Sequence, residues 1–309
     1  MSASAAPEIF PGHDSGGWLP VPSQIVAAWP VGHFAENLAM AANGDVFVTI
    51  HTHSRIDRWH AATGEVTTFA TFPAPVAGIA CAPDGILWVT GGVLGQAPGF
   101  IWKLGPDGQP MEWAQVPDAV FLNGCTFHPD GRHLLVCESM TGRVLAIDLT
   151  QPGHWSAWIT SDKLRSASAQ VPGANGVKIL GDHAIITVTD RSRVLRAVVL
   201  ADGSAGPLEP FAENLRADDF AVAADGTLYI TTHPANSVLR LAPDGSRTTI
   251  AGPAEGVSAA RPVHWRDINC SSPRMAGCGA PIGVCLRRPN CCALILARQP
   301  SPCHQPRTP

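Results

Sequence analysis

Four residues with side-chain oxygen stand at comparable places ahead of apolar runs: Glu36 in AENLA, Asn123 in LNGCT, Asn175 in ANGVK and Asp218 in ADDFA. Two carboxylates and two amides make a hard, all-oxygen donor set that suits calcium, with magnesium, manganese or zinc also admissible. A further carboxylate, Asp219, adjoins Asp218. Each residue taken alone reads as local chemistry, because Asn-Gly is a common turn pair and an Asp before a strand often bonds a loop backbone. Four in register call for more, provided the fold turns them toward one axis. At the fifth comparable place, PVAGI, Val76 and Ala77 offer no oxygen.

The elements that must bring them together are legible as a repeat. A short apolar run, a Gly-containing turn and a second run rich in Val, Ile, Leu and aromatics recur five times: LAMAANGDVFVTI from 38, GIACAPDGILWVT from 78, CTFHPDGRHLLVC from 125, VKILGDHAIITV from 177 and FAVAADGTLYIT from 220. Their turn glycines, Gly44, Gly85, Gly131, Gly181 and Gly226, are 41, 46, 50 and 45 residues apart, a period that belongs to propeller blades. Each unit reads as a hairpin followed by two further strands, as in SRIDRWHAATGEVTTFATF from 54 and NSVLRLAPDGSRTTIAG from 236. Four antiparallel strands make one blade, and blades bury their faces only by packing radially around a channel.

The expected fold is all-β, a six-bladed propeller of four-stranded antiparallel blades with the last blade incomplete. The count of six rests on SQIVAAWPV, an orphan outer strand that needs a final blade to join. The expected organisation is an N-terminal extension over 1–23, the propeller over 24–258 and a separate tail over 259–309. Innermost strands of a propeller converge on one mouth, where loops are free to vary and function collects. Glu36, Asn123, Asn175 and Asp218 are expected there, with His51, His53, Glu138, Asp190, Arg191 and His233 from the return loops. The long connection from Gln151 to Ala174 holds Trp155 and Trp158; it is a candidate lid, although Trp158 fits better as packing in an outer strand.

A net charge of −4 with no Lys/Arg block argues against nucleic acid or an anionic membrane as partner. No apolar stretch is long enough to span a bilayer, and the start lacks the basic and apolar regions of a signal peptide, so a cytoplasmic location is expected. Cys81, Cys125 and Cys137 fall inside strands and read as buried reduced thiols. The other six cysteines, Cys270, Cys278, Cys285, Cys291, Cys292 and Cys303, lie in a tail that from Arg261 onward has seven Arg, eight Pro and one acidic residue. Neither zinc spacing nor an exported context accompanies them. A frame-shifted or otherwise non-native tail, poorly ordered and without blade-like strands, is the expectation.

The pattern of Glu in blade one, Asn-Gly in blades three and four and Asp in blade five resembles the gluconolactonase, senescence-marker-protein and luciferin-regenerating-enzyme family of six-bladed propellers, over about residues 24–257. The phrases ENLAMAANGDVFVT, LNGCTFHPDG, PGANGVK and DDFAVAADGTLYIT carry the resemblance. It implies one divalent metal in the channel, held by Glu36, Asn123, Asn175 and Asp218, and metal-assisted hydrolysis of a small-molecule lactone or related ester. Asp218 or Asp219 is the implied base toward water, the two being rivals because Asp218-Asp219-Phe220 replaces the family's Asp-Gly-Met. No G-x-S-x-G motif accompanies them, so water rather than a serine is the expected nucleophile. A non-catalytic binding platform with a structural calcium ion is the alternative.

Overall fold

The computed structural model describes residues 13–30, 32–168, 171–233, 235–255, 257, 261–264, 281–288 and 291–298, with side chains up to residue 257. Its element order is the repeat read from the sequence. Blade 1 comprises strands Ala35–Met40, Val46–Ile50, Arg55–Trp59 and Val66–Thr71, each antiparallel to the next. Blades 2 to 5 open with innermost strands Val76–Cys81, Leu122–Phe127, Ala174–Leu180 and Ala217–Val222, and each continues outward through three chain-consecutive strands. The hairpins form where the turn pairs sit. Gly44 and Gly226 hold φ of +89° and +82°, a conformation that only glycine adopts without strain.

The apolar cores lie between blades. One joins Ala39, Phe47 and Ile56 of blade 1 to Val76, Ile79 and Trp102 of blade 2. Another joins Leu135, Cys137 and Val144 of blade 3 to Val177, Ile186 and Leu195 of blade 4. Because each blade presents apolar side chains on both faces, no blade is stable alone, and the innermost strands are pressed side by side around the channel. The strand thiols belong to these cores. Burial pushes the Cys125 thiol up to about 12 and raises that of Cys137 well above its ordinary value, so both are inert.

Two expectations change. Among the described residues there are five blades of four chain-consecutive strands, not six, because no sixth copy of the repeat follows Ala251 in the sequence. The orphan Ser23–Pro30 is nevertheless paired. It runs antiparallel to Cys291–Arg298, which pairs with Pro281–Arg288 and, beyond it, Arg261–His264. The tail thus contributes strands where none were expected, and Arg261–His264 adjoins the innermost strands of blades 5 and 1. Cys270, Cys278 and Cys303, like the side chains of Cys285, Cys291 and Cys292, lie outside the described residues. Within the N-terminal extension, Gly17–Trp18 adds a parallel fifth strand to the outer edge of blade 5. Among the described residues no helix is long and apolar enough to cross a membrane.

Candidate functional site

The four oxygen-bearing residues occupy one structural position. Glu36, Asn123, Asn175 and Asp218 are each the second residue of an innermost strand, and Ala77 is their counterpart in blade 2. In every blade the ladder to the second strand slips at this point, between Ala35 and Asn37, Val76 and Ile79, Leu122 and Cys125, Ala174 and Val177, and Ala217 and Phe220. Such a bulge turns a side chain out of the alternation of its strand. All four are almost wholly buried, with exposures of 1–2%.

A hydroxyl latch bridges the bulge in blades 1, 2 and 4. Thr90 of the second strand in blade 2 accepts the Gly78 N–H at 2.8 Å and donates to the Asn123 carbonyl of blade 3 at 2.7 Å. Thr49 does the same between Asn37 N–H and the Ala77 carbonyl, and Thr187 between Gly176 N–H and the Asp218 carbonyl. In blade 5 Thr231 donates to the Asp219 carbonyl at 2.9 Å. The register places Cys137 at this position in blade 3, directly after the Val136 that faces Cys125. Two residues further on, Ser139 and Thr189 donate to the carbonyls of Ala174 and Ala217, and His51 Nδ1 bonds that of Val76 at 2.9 Å. The threonines recur in the sequence as VFVTI, LWVTG, IITVT and LYITT; their spacing held the signal, although sequence reasoning did not use it.

The structure brings Asn175 and Asp218 together directly. Asn175 Nδ2 donates to Asp218 Oδ1 at 2.5 Å and to Thr189 Oγ1 at 3.0 Å. With its nitrogen committed, the amide oxygen is the atom Asn175 has left for a cation. Asn123 Nδ2 is buried with no hydrogen-bond partner among the described residues, a donor that calls for an acceptor such as a water or a substrate oxygen. Two carboxylates and two amides buried at one repeated position offer side-chain oxygens of the kind a hard divalent cation takes.

Asp219 is placed differently. Lys178, a residue the sequence reading passed over, reaches both of its oxygens at 2.8 and 2.9 Å. Asn37 Nδ2 adds a bond to Oδ2 at 3.1 Å and Phe220 N–H one to Oδ1 at 2.8 Å. Gly176 makes the room, since a Cβ there would stand 2.1 Å from Asp219 Oδ1. Asp219 and Lys178 form a buried ion pair whose carboxylate is fully engaged.

The return-loop residues are mostly structural. Glu138 accepts the N–H groups of Val120, Phe121 and Thr141, and Arg191 donates to the Arg165 carbonyl. Burial raises the Asp190 carboxyl above its ordinary value, against a bond from Ala167 N–H and the charge of Arg191. Trp155 and Trp158 lie in the outermost strand of blade 3, Trp155–Thr160, so of the two readings of the Gln151–Ala174 connection the packing one holds for both Trp residues.

Fold and site together define a β-propeller whose innermost strands present a ring of carboxylates and amides. No protein-family model matches the chain, and no curated protein matches it. Solved structures do. They include a gluconolactonase from Xanthomonas campestris (13% identity, 93% of this chain and 99% of that one, TM-score 0.65). A calcium-binding regucalcin from Agrobacterium tumefaciens is similar (14% identity, 92% and 97% covered, TM-score 0.67), as is virginiamycin B lyase from Staphylococcus aureus (17% identity, 84% and 79% covered, TM-score 0.56). At these identities the likeness is one of fold.

Proposed function

We propose that the chain is a divalent-cation-dependent hydrolase of small-molecule lactones or related esters, acting where Glu36, Asn123, Asn175 and Asp218 meet the channel. What carries this reading is their common register at the bulged second position of four innermost strands, all buried. The gluconolactonase and calcium-binding regucalcin among the similar structures support it. These four residues would hold calcium, or magnesium, manganese or zinc in its place; the ion would supply a positive charge that polarises the ester carbonyl and steadies the developing oxyanion.

The chain's own part is to orient groups and accept a proton. Asn175 fixes the Asp218 carboxylate through the 2.5 Å bond, so Asp218 is aimed before substrate arrives. Of the two rival bases it is the better placed, because both oxygens of Asp219 are bound to Lys178 and a carboxylate so engaged is a poor proton acceptor. Asp219 then serves by holding Lys178 and Asn37 in position.

The test is a lactone panel followed by pH change, using chelator-stripped protein with and without calcium. Calcium-dependent turnover is expected in the wild type, with D218N and N175A losing at least about tenfold in turnover or in cation affinity. A panel without cation-dependent turnover removes the hydrolase. The direct Asn175–Asp218 bond favours one other reading, since it leaves the set partly satisfied from within: a binding platform with a structural calcium ion. That reading expects calcium to raise the melting temperature while no ester is cleaved.

A further inference from the structure

At the opposite end of blade 3 from the proposed site, the turn between strands Leu122–Phe127 and His133–Glu138 carries His128, Asp130 and His133, whose ligand atoms all lie within 4.8 Å of one another. We propose that these three residues bind a divalent transition cation, zinc foremost, at a site separate from the channel.

The arrangement of His128 is the first reason. Its Nε2 bonds the Gly203 carbonyl of blade 4 at 3.1 Å, and Trp158 Nε1 donates to the same carbonyl at 2.9 Å while its ring meets the imidazole edge-on. Because the carbonyl only accepts, Nε2 carries the proton and Nδ1 the lone pair. Fixing one ring nitrogen on a backbone carbonyl so that the other presents its lone pair is how proteins set metal-binding histidines.

The second reason is what Nδ1 faces. It accepts a long bond from Asp130 N–H at 3.2 Å and stands 3.0 Å from Asp130 Oδ2. An imidazole lone pair against a carboxylate oxygen is acceptor against acceptor, an arrangement that a cation relieves. His133 Nδ1 lies 2.6 Å from the same Oδ2, so a third ligand is at hand; on binding, the neutral ring ligates as its Nε2–H tautomer, solvent taking the proton from Nδ1 and returning one to Nε2. Two imidazoles and one carboxylate with positions left for water suit zinc rather than calcium. His128 is 4% exposed, whereas the side chains of Asp130 and His133 are about a third exposed, giving the ion an entry path. Through Gly203 the bound ion would also tie blade 3 to blade 4.

The experiment uses the full chain, chelator-stripped and alkylated so that accessible thiols cannot take up metal. Zinc is titrated by calorimetry and cobalt by absorption. One equivalent of zinc that H133A removes is expected, with cobalt bands of a nitrogen and oxygen site and no thiolate charge transfer. H133A and D130N should each weaken zinc binding at least about tenfold, and zinc should raise the melting temperature of wild type but not of H133A. The same losses from H133A and D130N in a D218N background, where the channel set is broken, make the outcome independent of the channel proposal. Equal zinc affinity in wild type, H133A and D130N, or no uptake by the alkylated protein, would overturn the proposal.

Discussion

At the scale of single residues, the channel depends on a charge balance struck across blades. Lys178 and Asp219 are 41 positions apart in the chain and only 13% and 1% exposed as side chains. Removing one member of such a pair strands the other's charge in a poor solvent and costs about 3–5 kcal/mol. K178M should therefore lower stability by that order in denaturant titrations, and K178M/D219N should recover part of it. An unchanged midpoint for K178M would mean that Asp219 is solvated or neutral. The oxygen-bearing residues were legible in the sequence because each precedes an apolar run at blade spacing. Lys178 was not, since nothing local in ANGVK marks a lysine that turns inward to a carboxylate of the next blade. Asp219 was read as a rival base for the same reason.

At the scale of the element, the hydroxyl latch explains how a bulge can be repeated so regularly. A buried threonine bridging an N–H of its own blade and a carbonyl of the next satisfies two backbone groups that the slipped ladder leaves over. Thr90→Val keeps the shape and removes the hydroxyl, leaving Gly78 N–H and the Asn123 carbonyl without it. A loss of about 1–3 kcal/mol is expected, together with weaker cation binding, because Asn123 is held by that carbonyl. Blade 3 offers the converse. Cys137→Ser would place a hydroxyl near Gly124 and the Asn175 carbonyl, which already approach each other closely, and it should be neutral or stabilising. Cys125→Ser, in an apolar cluster, should destabilise. Thermal melts of the two serine variants separate the cases, and equal losses would show that blade 3 has no place for the latch.

At the scale of the whole molecule, the blades and their order followed from five turn glycines at steady intervals, whereas the sheet beside them did not. Past Ala251 the period stops, and pairing between Ser23–Pro30 and Cys291–Arg298 joins segments over 260 residues apart, where no local pattern reports a partner. Ser23–Pro30 is anchored to blade 1 as well: Ala27 and Trp29 pack in its core, and Trp29 Nε1 donates to Asp57 Oδ2 at 2.8 Å. Truncation before Arg261 should leave this strand with one edge unpaired, lowering the melting temperature and raising light scattering. A truncated chain as stable as the full one would instead favour a dispensable tail, as its composition suggests. The same pairing sets an order in time. Residues 23–30 are synthesised before the five blades and their partner strand after them, so the blades can form before this sheet closes. Its slowest folding step is therefore expected to be this long-range closure, after the blades have formed.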